Sequence, residues 1–157
     1  MKLCNLFLVS ISLLIFAITT SAQTTKPVAP PTAANPKEAD TSAKEKAAQP
    51  AAESWVVLVD AAKFNESWEQ AAQTFQKAIS KEDWANAVQQ SRAPLGKLKA
   101  RKLKYSQYKD SLPGAPAGEY VLLQFDSSFD AMEKASEVVT LTLEKDGKWR
   151  VVGYFVR

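Results

Sequence analysis

Histidine is absent from this sequence of 157 residues, and its single cysteine, Cys4, falls within a predicted signal peptide. Without histidine there is no imidazole base and no Ser-His-Asp triad, and loss of Cys4 on cleavage leaves no thiolate nucleophile. The same absences exclude zinc and copper sites built on nitrogen or sulfur ligands. The mature chain cannot form an internal disulfide, so a packed core has to stabilise it. We expect no metal and no cofactor.

Excess charge of either sign is also lacking. The chain has 20 Lys and Arg against 17 Asp and Glu, a formal net charge of +3, and removal of Lys2 with the signal peptide leaves +2. A dedicated nucleic-acid-binding domain is expected to be strongly basic. We therefore expect no nucleic-acid partner.

Residues 1–22 have the features of a cleavable secretory signal peptide. Lys2 precedes an apolar run over residues 3–18, and the small residues 20–22 follow it, which is the typical order in such signals. Cleavage after Ala22 is predicted, and the mature protein is predicted to be periplasmic or secreted. A lipoprotein anchor needs its cysteine after the apolar run, whereas Cys4 precedes that run.

A retained membrane anchor is the alternative interpretation of this segment. A membrane-spanning helix needs about 20 apolar residues, and the run is shorter than that. It is also interrupted by Asn5, Ser10 and Ser12. We therefore favour cleavage, and with it no permanent membrane span.

Residues 23–50 contain no aromatic residue, and Val28 is their only large aliphatic. Such a segment buries too little apolar surface to offset the entropy lost on ordering. The sequence therefore predicts a disordered linker rich in Pro, Ala and Lys over residues 23–50. The linker is either a tether to the cell envelope or a solubilising tail.

Residues 51–157 contain every aromatic residue of the mature chain and are predicted to form a single domain with one core. Apolar residues recur there with a helical period in three stretches. Pro94 and Gly96 end the third of them. Asn65 and Ser80 are the predicted N-caps of the second and third helices. The residues predicted to face the core are Trp55, Leu58, Val59 and Ala62; Trp68, Ala71, Ala72, Phe75 and Ile79; and Trp84, Ala87 and Val88.

The second half of this domain changes to a period of two, which predicts strands over residues 99–108, 119–125, 139–143 and 148–156. A three-residue loop with Gly147 in a left-handed conformation pairs Leu143 with Trp149 and Leu141 with Val151. The predicted fold class is α+β, with three N-terminal helices packed on a four-stranded antiparallel meander sheet.

A basic stretch between residues 92 and 104 has the strongest composition bias in the chain. It either docks an anionic envelope component by charge attraction or forms the solvated face of an edge strand, where lysines prevent aggregation. The second interpretation is the favoured one. The candidate binding residues are Arg92, Lys97, Lys99, Arg101, Lys102 and Lys104, together with Tyr154.

Asp60, Glu137, Arg101 and Tyr154 are the polar residues available for catalysis. A carboxylate paired with tyrosine or arginine could abstract a proton without histidine. We favour the simpler interpretation that these residues anchor the fold by hydrogen bonds, and we predict no catalytic residue. The four tryptophans are likewise predicted to pack in the core rather than to form a stacking platform.

Certain residues between 53 and 157 form a characteristic pattern, namely Trp55, Asp60, residues 67–69, Trp84, residues 92–96, Arg101, residues 112–116, residues 118–120, Phe129, Glu137 and residues 147–154. In order and spacing they resemble a bacterial secreted family known as domain of unknown function 4019. The family has no established activity, cofactor or catalytic residue, so none is implied here. The order of helices and strands is also similar to cystatin-like and NTF2-like folds.

These observations predict an exported, non-enzymatic binding or scaffolding domain of the bacterial cell envelope. Its contact is expected on the sheet face or on the surface of residues 92–104. The expected partner is an anionic envelope component or an envelope protein, and the sequence predicts no oligomeric state. The alternative is a histidine-free, NTF2-like enzyme that uses Asp60 or Glu137 as a base in a pocket between helices and sheet.

Overall fold

A computed structural model describes residues 36–157 of the chain. The predicted signal peptide and residues 23–35 of the predicted linker lie outside the described residues. The elements in chain order are α1 (Pro36–Asp60), α2 (Phe64–Glu69), α3 (Gln73–Ala78), α4 (Lys81–Arg92), a short 3-10 helix (Ala93–Leu95), β1 (Leu98–Lys109), β2 (Tyr120–Phe129), β3 (Ala135–Leu143) and β4 (Trp149–Val156). The strands form one antiparallel meander in the order β1-β2-β3-β4. This confirms the predicted α+β class and the predicted sheet.

The prediction of a disordered linker is wrong for residues 36–50, which form the first part of α1. Ala48 is fully buried in the core, as is Ala52 one turn later. Alanine has the highest helix propensity and allows close packing, so this segment is ordered without large apolar residues. Pro50 lies within the helix, where its missing N–H weakens one turn, and the contacts on both sides of it hold the helix together.

Polar contacts also hold the first half of α1 against the sheet. The Glu45 carboxylate accepts hydrogen bonds from the Ser106 hydroxyl at 2.6 Å and from the Tyr108 backbone N–H at 2.8 Å, both on β1. Lys44 forms an ion pair with Glu119 at 2.7 Å. These contacts join residues more than 60 positions apart, so the composition of residues 23–50 gives no sign of them.

The prediction of three helices is wrong in number because the second predicted helix is two short helices, α2 and α3. Between them, the backbone N–H of Ala72 donates to the carbonyl oxygen of Val151 on β4 at 2.9 Å. A continuous helix would use that N–H internally, so this bond to the sheet interrupts it.

One of the two predicted helix caps is wrong and the other is confirmed. The predicted cap Asn65 lies inside α2, whose N-cap is Lys63. The predicted cap Ser80 is confirmed, since its hydroxyl accepts the N–H of Asp83. Ala62, predicted to face the core, is exposed with a φ of 56°, just after the end of α1.

The hairpin between β3 and β4 confirms the predicted register. Leu143 pairs with Trp149, Leu141 pairs with Val151, and Gly147 has a φ of 76°. A β-bulge lies further along β4, where the register shifts between Leu141 and Thr140 and leaves Val152 as the extra residue. The strands β2 and β3 are longer than predicted, ending at Phe129 and beginning at Ala135 respectively.

The helices cover one face of the sheet and form the main core with it. The buried core residues are Ala48, Ala52, Trp55, Val56 and Val59 of α1, Trp84 and Val88 of α4, and Val121, Leu123, Phe125, Val139, Leu141 and Val151 of the strands. On the other face, the side chains are half-buried or exposed apart from Tyr120, which is 4% exposed. Within residues 36–157 no helix is long and apolar enough to cross a membrane.

Candidate functional site

Four charged side chains meet between the helices and the sheet. Asp60 ends α1, Arg92 ends α4, Arg101 lies on β1 and Glu137 lies on β3. Arg92 contacts Asp60 at 2.6 Å and Glu137 at 2.8 Å. Arg101 contacts the same two carboxylates at 2.6 and 2.7 Å. Each arginine therefore bridges both carboxylates, and we call these four residues with Ser127 and Tyr154 the buried ion network.

Two hydroxyl groups complete the network around Glu137. Ser127 on β2 donates to its carboxylate at 2.5 Å, and Tyr154 on β4 donates to it at 2.6 Å. The Tyr154 hydroxyl also accepts a hydrogen bond from Arg92 at 3.2 Å. Glu137 is 0% exposed. Across residues 36–157 every buried polar side-chain atom has a hydrogen-bond partner.

The strand register explains why the network forms in the core layer. Arg101 pairs with Ser127, and Glu137 pairs with Phe125 two residues before Ser127, so all lie on the helix-covered face. The carbonyl ends of helices attract cations and disfavour anions. Asp60 at such an end therefore needs the cations that Arg92 and Arg101 supply.

The network changes the acidity of its members. Burial by itself would raise the pKa of Glu137, but the hydrogen bonds from Arg101, Ser127 and Tyr154 outweigh burial and hold it below its usual value. Burial and the nearby negative charge of Glu137 raise the pKa of Tyr154 well above its ordinary value. Burial opposes the charge on Arg101, yet its bonds to Asp60 and Glu137 raise its pKa. At neutral pH Glu137 is therefore a carboxylate, Arg101 a guanidinium group and Tyr154 a neutral phenol.

The structure divides the predicted binding residues into two groups. Arg92 and Arg101 point inward, with side chains 8% and 10% exposed, and the hydroxyl of Tyr154 is bonded inside the network. These three residues do not lie on an exposed contact surface. The other four, Lys97, Lys99, Lys102 and Lys104, are exposed.

The exposed lysines lie beside the sheet face that the helices leave uncovered, which we call the open sheet face. One row across its four strands consists of Tyr105, Gln124, Val138 and Phe155. The two aromatic residues at the ends of this row are 48% and 56% exposed. Sequence analysis did not single out either residue, because strict alternation would place Tyr105 on the face of Leu103 and Phe155 on the face of Val151. The register shifts at Lys104 and Val152 turn both residues to the open sheet face instead.

The tryptophans of α1 and α4 confirm the prediction of core packing. Trp55 and Trp84 are buried with ring centroids 5.7 Å apart. Their indole N–H groups donate to the carbonyl and to the hydroxyl of Ser67, at 2.7 and 2.9 Å. Because both their faces and their polar edges are used internally, these two rings cannot serve as a stacking platform.

A cleft of about 630 Å³ lies between α3, the Pro116–Gly118 stretch and the β3–β4 turn. Three carboxylates line it. Glu144 and Asp146 are ion-paired with Arg150, and Glu69 is ion-paired with Lys81. The hydrogen bond from Arg150 lowers the pKa of Asp146 to about 2. Asp60 and Glu137 do not line this cleft. The carboxylates considered for catalysis are therefore separate from this cleft.

The family model described as a protein of unknown function, DUF4019, matches residues 51–154. The chain belongs to this family, which confirms the resemblance found in the sequence. A comparison with curated proteins gave no significant match. The likeness to cystatin-like and NTF2-like folds stays a prediction.

Proposed function

We propose that the protein is a non-enzymatic binding domain of the bacterial cell envelope. It contacts an anionic component through four exposed lysines, one just before β1 and three on that strand, and through the adjoining open sheet face. The observation that carries the proposal is the division of charge within the molecule. The arginines and carboxylates of the network neutralise one another in the interior. Lys97, Lys99, Lys102 and Lys104 stand outside it.

The geometry of Glu137 supports a non-enzymatic role. A general base has to be within reach of substrate and has to accept a proton near the operating pH. Glu137 is fully buried, and its two oxygens already accept hydrogen bonds from four side chains. Its lowered pKa makes it a weaker base.

Lys97, just before β1, and Lys99, Lys102 and Lys104 on β1 provide an excess of positive charge at this edge. Lys104 contacts Asp126 at 3.0 Å, and Lys99 lies 3.8 Å from Asp130. The backbone N–H of Lys97 donates to Asp130, but among residues 36–157 no hydrogen bond or ion pair is found for the side-chain amine of Lys97 or of Lys102. Exposed pairs such as these are weak and compete poorly with a multivalent anion. Charge attraction would guide an anionic partner to this surface, where Tyr105 offers apolar contact area.

The test is co-sedimentation of the protein with anionic lipid vesicles, neutral vesicles and isolated cell wall over a salt series. The Debye length falls from about 10 Å at 0.1 M to about 3 Å at 1 M, so binding should weaken steeply with salt. Replacing Lys97, Lys99, Lys102 and Lys104 by Glu should abolish it. The vesicle and cell-wall arms distinguish a lipid headgroup from a wall polymer.

A matched control changes the net charge equally at another surface. Lys46, Lys77, Lys145 and Lys148 are exposed on α1, α3 and the β3–β4 turn, and their replacement by Glu should preserve most of the binding. Equal loss in both variants, or binding that does not depend on salt, would contradict a specific contact at β1.

A further inference from the structure

The two edges of the sheet differ in how they are protected. Exposed edge strands tend to pair with other chains, and lysines or covering elements prevent this. The edge strand β1 has both kinds of protection, because lysines are frequent along it and Glu45 of α1 accepts the N–H of Tyr108. The other edge strand, β4, has no charged residue between Arg150 and Arg157. Its last residues form an unprotected edge.

Hydrogen bonds show which backbone groups of β4 face outward. Arg157 and Ser136 exchange both of their backbone hydrogen bonds, at 3.1 and 2.8 Å, so the backbone groups of Arg157 face β3. This direction alternates along a strand. The backbone groups of Tyr154 and Val156 therefore face away from β3, and those of Phe155 face towards it.

The free part of this edge is short and centred on Tyr154. The bond from Ala72 to the carbonyl oxygen of Val151 occupies the edge beyond the bulge. Within residues 36–157 no backbone group outside the sheet bonds to residues 152–156. Residues 152–156 are long enough to pair with one short strand. Because Tyr154 is their midpoint, they can pair with the same residues of a second copy around a two-fold axis.

Phe155 and Gly153 lie on either side of Tyr154 along β4, both on the open sheet face. They are complementary in size, since one has a large aromatic ring and the other has no side chain. Phe155 is 56% exposed. Gly153 has no positive φ, and an added Cβ would meet only Thr140, at the ordinary contact distance of 3.7 Å. The chain itself therefore does not require glycine at position 153. Glycine in a strand often marks a bulge, as at the neighbouring Val152, or a place where another backbone approaches closely. An aromatic residue on a neighbouring strand can cover such a glycine.

We propose that β4 pairs with β4 of a second copy of this chain, antiparallel, with the two-fold axis beside Tyr154. Residues equally far from the axis then face each other, so Phe155 of each copy covers Gly153 of the other. The two sheets become one continuous sheet of eight strands. A two-fold axis makes every favourable contact occur twice, which is the usual arrangement in homodimers.

The helix layer accommodates the second copy. A groove of about 150 Å³ runs along this edge between α4 and β4, lined by Trp84, Ala87, Ser91 and Val156 among others. Ala87 is exposed, so the prediction that it faces the core is wrong, and Ser91 one turn later on α4 is also exposed. Both side chains are small. In the dimer the two α4 helices lie on either side of the axis, and small side chains allow them to approach. The proposal does not depend on the proposed function, which concerns the opposite edge.

The first test is the mass of the purified full chain by light scattering over about a hundredfold range of concentration, because dimer formation follows mass action. The wild-type protein should show twice the monomer mass. Phe155→Lys should raise the dissociation constant at least about tenfold, because two charges then oppose the contact. Gly153→Val should do the same by filling the space that Phe155 occupies.

Tyr105→Lys is the matched control, because Tyr105 is the exposed aromatic residue at the other end of the same row. It should leave the dimer intact. Loss of the dimer in both Phe155→Lys and Tyr105→Lys would place the contact on the open sheet face and overturn pairing at the edge. A wild-type protein that stays monomeric at every concentration would overturn the proposal as well.

The second test is disulfide trapping in a Cys4→Ser background. Opposed residues flanking the axis have Cα atoms about 4.5 Å apart, within the range of a disulfide. A mixture of Gly153→Cys protein with Phe155→Cys protein should give a covalent dimer on mild oxidation. Each protein oxidised alone should give none, and equal trapping in all three samples would rule out this register.

Discussion

The charged residues of this chain have two different roles that depend on single positions. Along β1, Arg101 points to the core while Lys102 points to solvent. Burying an arginine is unfavourable unless carboxylates and hydrogen bonds compensate it fully. Asp60 and Glu137 provide that compensation for both Arg92 and Arg101. The network therefore makes each member dependent on the others.

At this scale we predict that Glu137→Gln lowers the free energy of unfolding by about 3 to 5 kcal/mol, because it leaves two buried arginines with one carboxylate. Denaturant unfolding measures the change. The control is Asp126→Asn, which removes an exposed partner of Lys104 and should have little effect. A Glu137→Gln protein as stable as the wild type would mean that the network contributes nothing to folding.

Among the elements, α1 departs most from expectation because its first half covers β1. The family match begins at residue 51, whereas the helix begins at Pro36. The side-chain carboxylate of Glu45 accepts a hydrogen bond from the Tyr108 backbone N–H, which faces outward at this edge of β1. The first half of α1 thus closes one edge of the sheet.

We predict that Glu45→Ala costs about 1 to 3 kcal/mol of stability, because the N–H of Tyr108 and the hydroxyl of Ser106 lose their acceptor. The Tyr108 amide should also exchange its hydrogen faster. Glu53→Ala is the matched control, since Glu53 is exposed on the same helix and bonds only to Gln49 among the hydrogen bonds described for it. Unchanged exchange at Tyr108 in the Glu45 variant would show that α1 does not protect this edge.

For the whole molecule, the two proposals use opposite edges of one sheet. The lysines lie at β1 and the proposed dimer contact at β4. In a continuous eight-stranded sheet with strands about 4.8 Å apart, the two β1 strands would lie roughly 34 Å apart at its ends. Binding and assembly are therefore separable by mutation.

Global stability should depend on pH through Glu137. Its pKa in the folded protein lies below the ordinary value of 4.5, so the folded state binds the proton more weakly than the unfolded state. The stability that it contributes is then present above about pH 4.5 and is lost as the pH falls through the folded-state pKa.

Unfolding free energies measured from pH 7 to pH 3 should therefore fall more steeply in the wild type than in Glu137→Gln. The variant lacks this titrating group but keeps the other carboxylates. Its curve therefore gives the pH dependence that comes from all groups other than Glu137. Parallel curves for the two proteins would contradict a lowered pKa at Glu137.

Local sequence patterns determine the β3–β4 hairpin and the order of the helices and strands. Alternation from Val139 to Leu143 and the Gly147 turn predicted the hairpin and its register, because strand period and turn geometry act over a few residues. The order of helices before a meander sheet and the family also follow from the sequence. The interpretation of Asp60 and Glu137 as fold anchors came from residue types alone.

Tertiary structure alone decided which of these residues meet. Asp60 and Glu137 are 77 positions apart, and both contact Arg92 and Arg101 only because α1, α4, β1 and β3 converge. The same holds for the first half of α1, whose alanines and Glu45 are ordered by contacts with distant strands. Contacts between distant residues leave no local period, so the folded chain determines which charges are buried, where α1 begins and which edge of the sheet stays open.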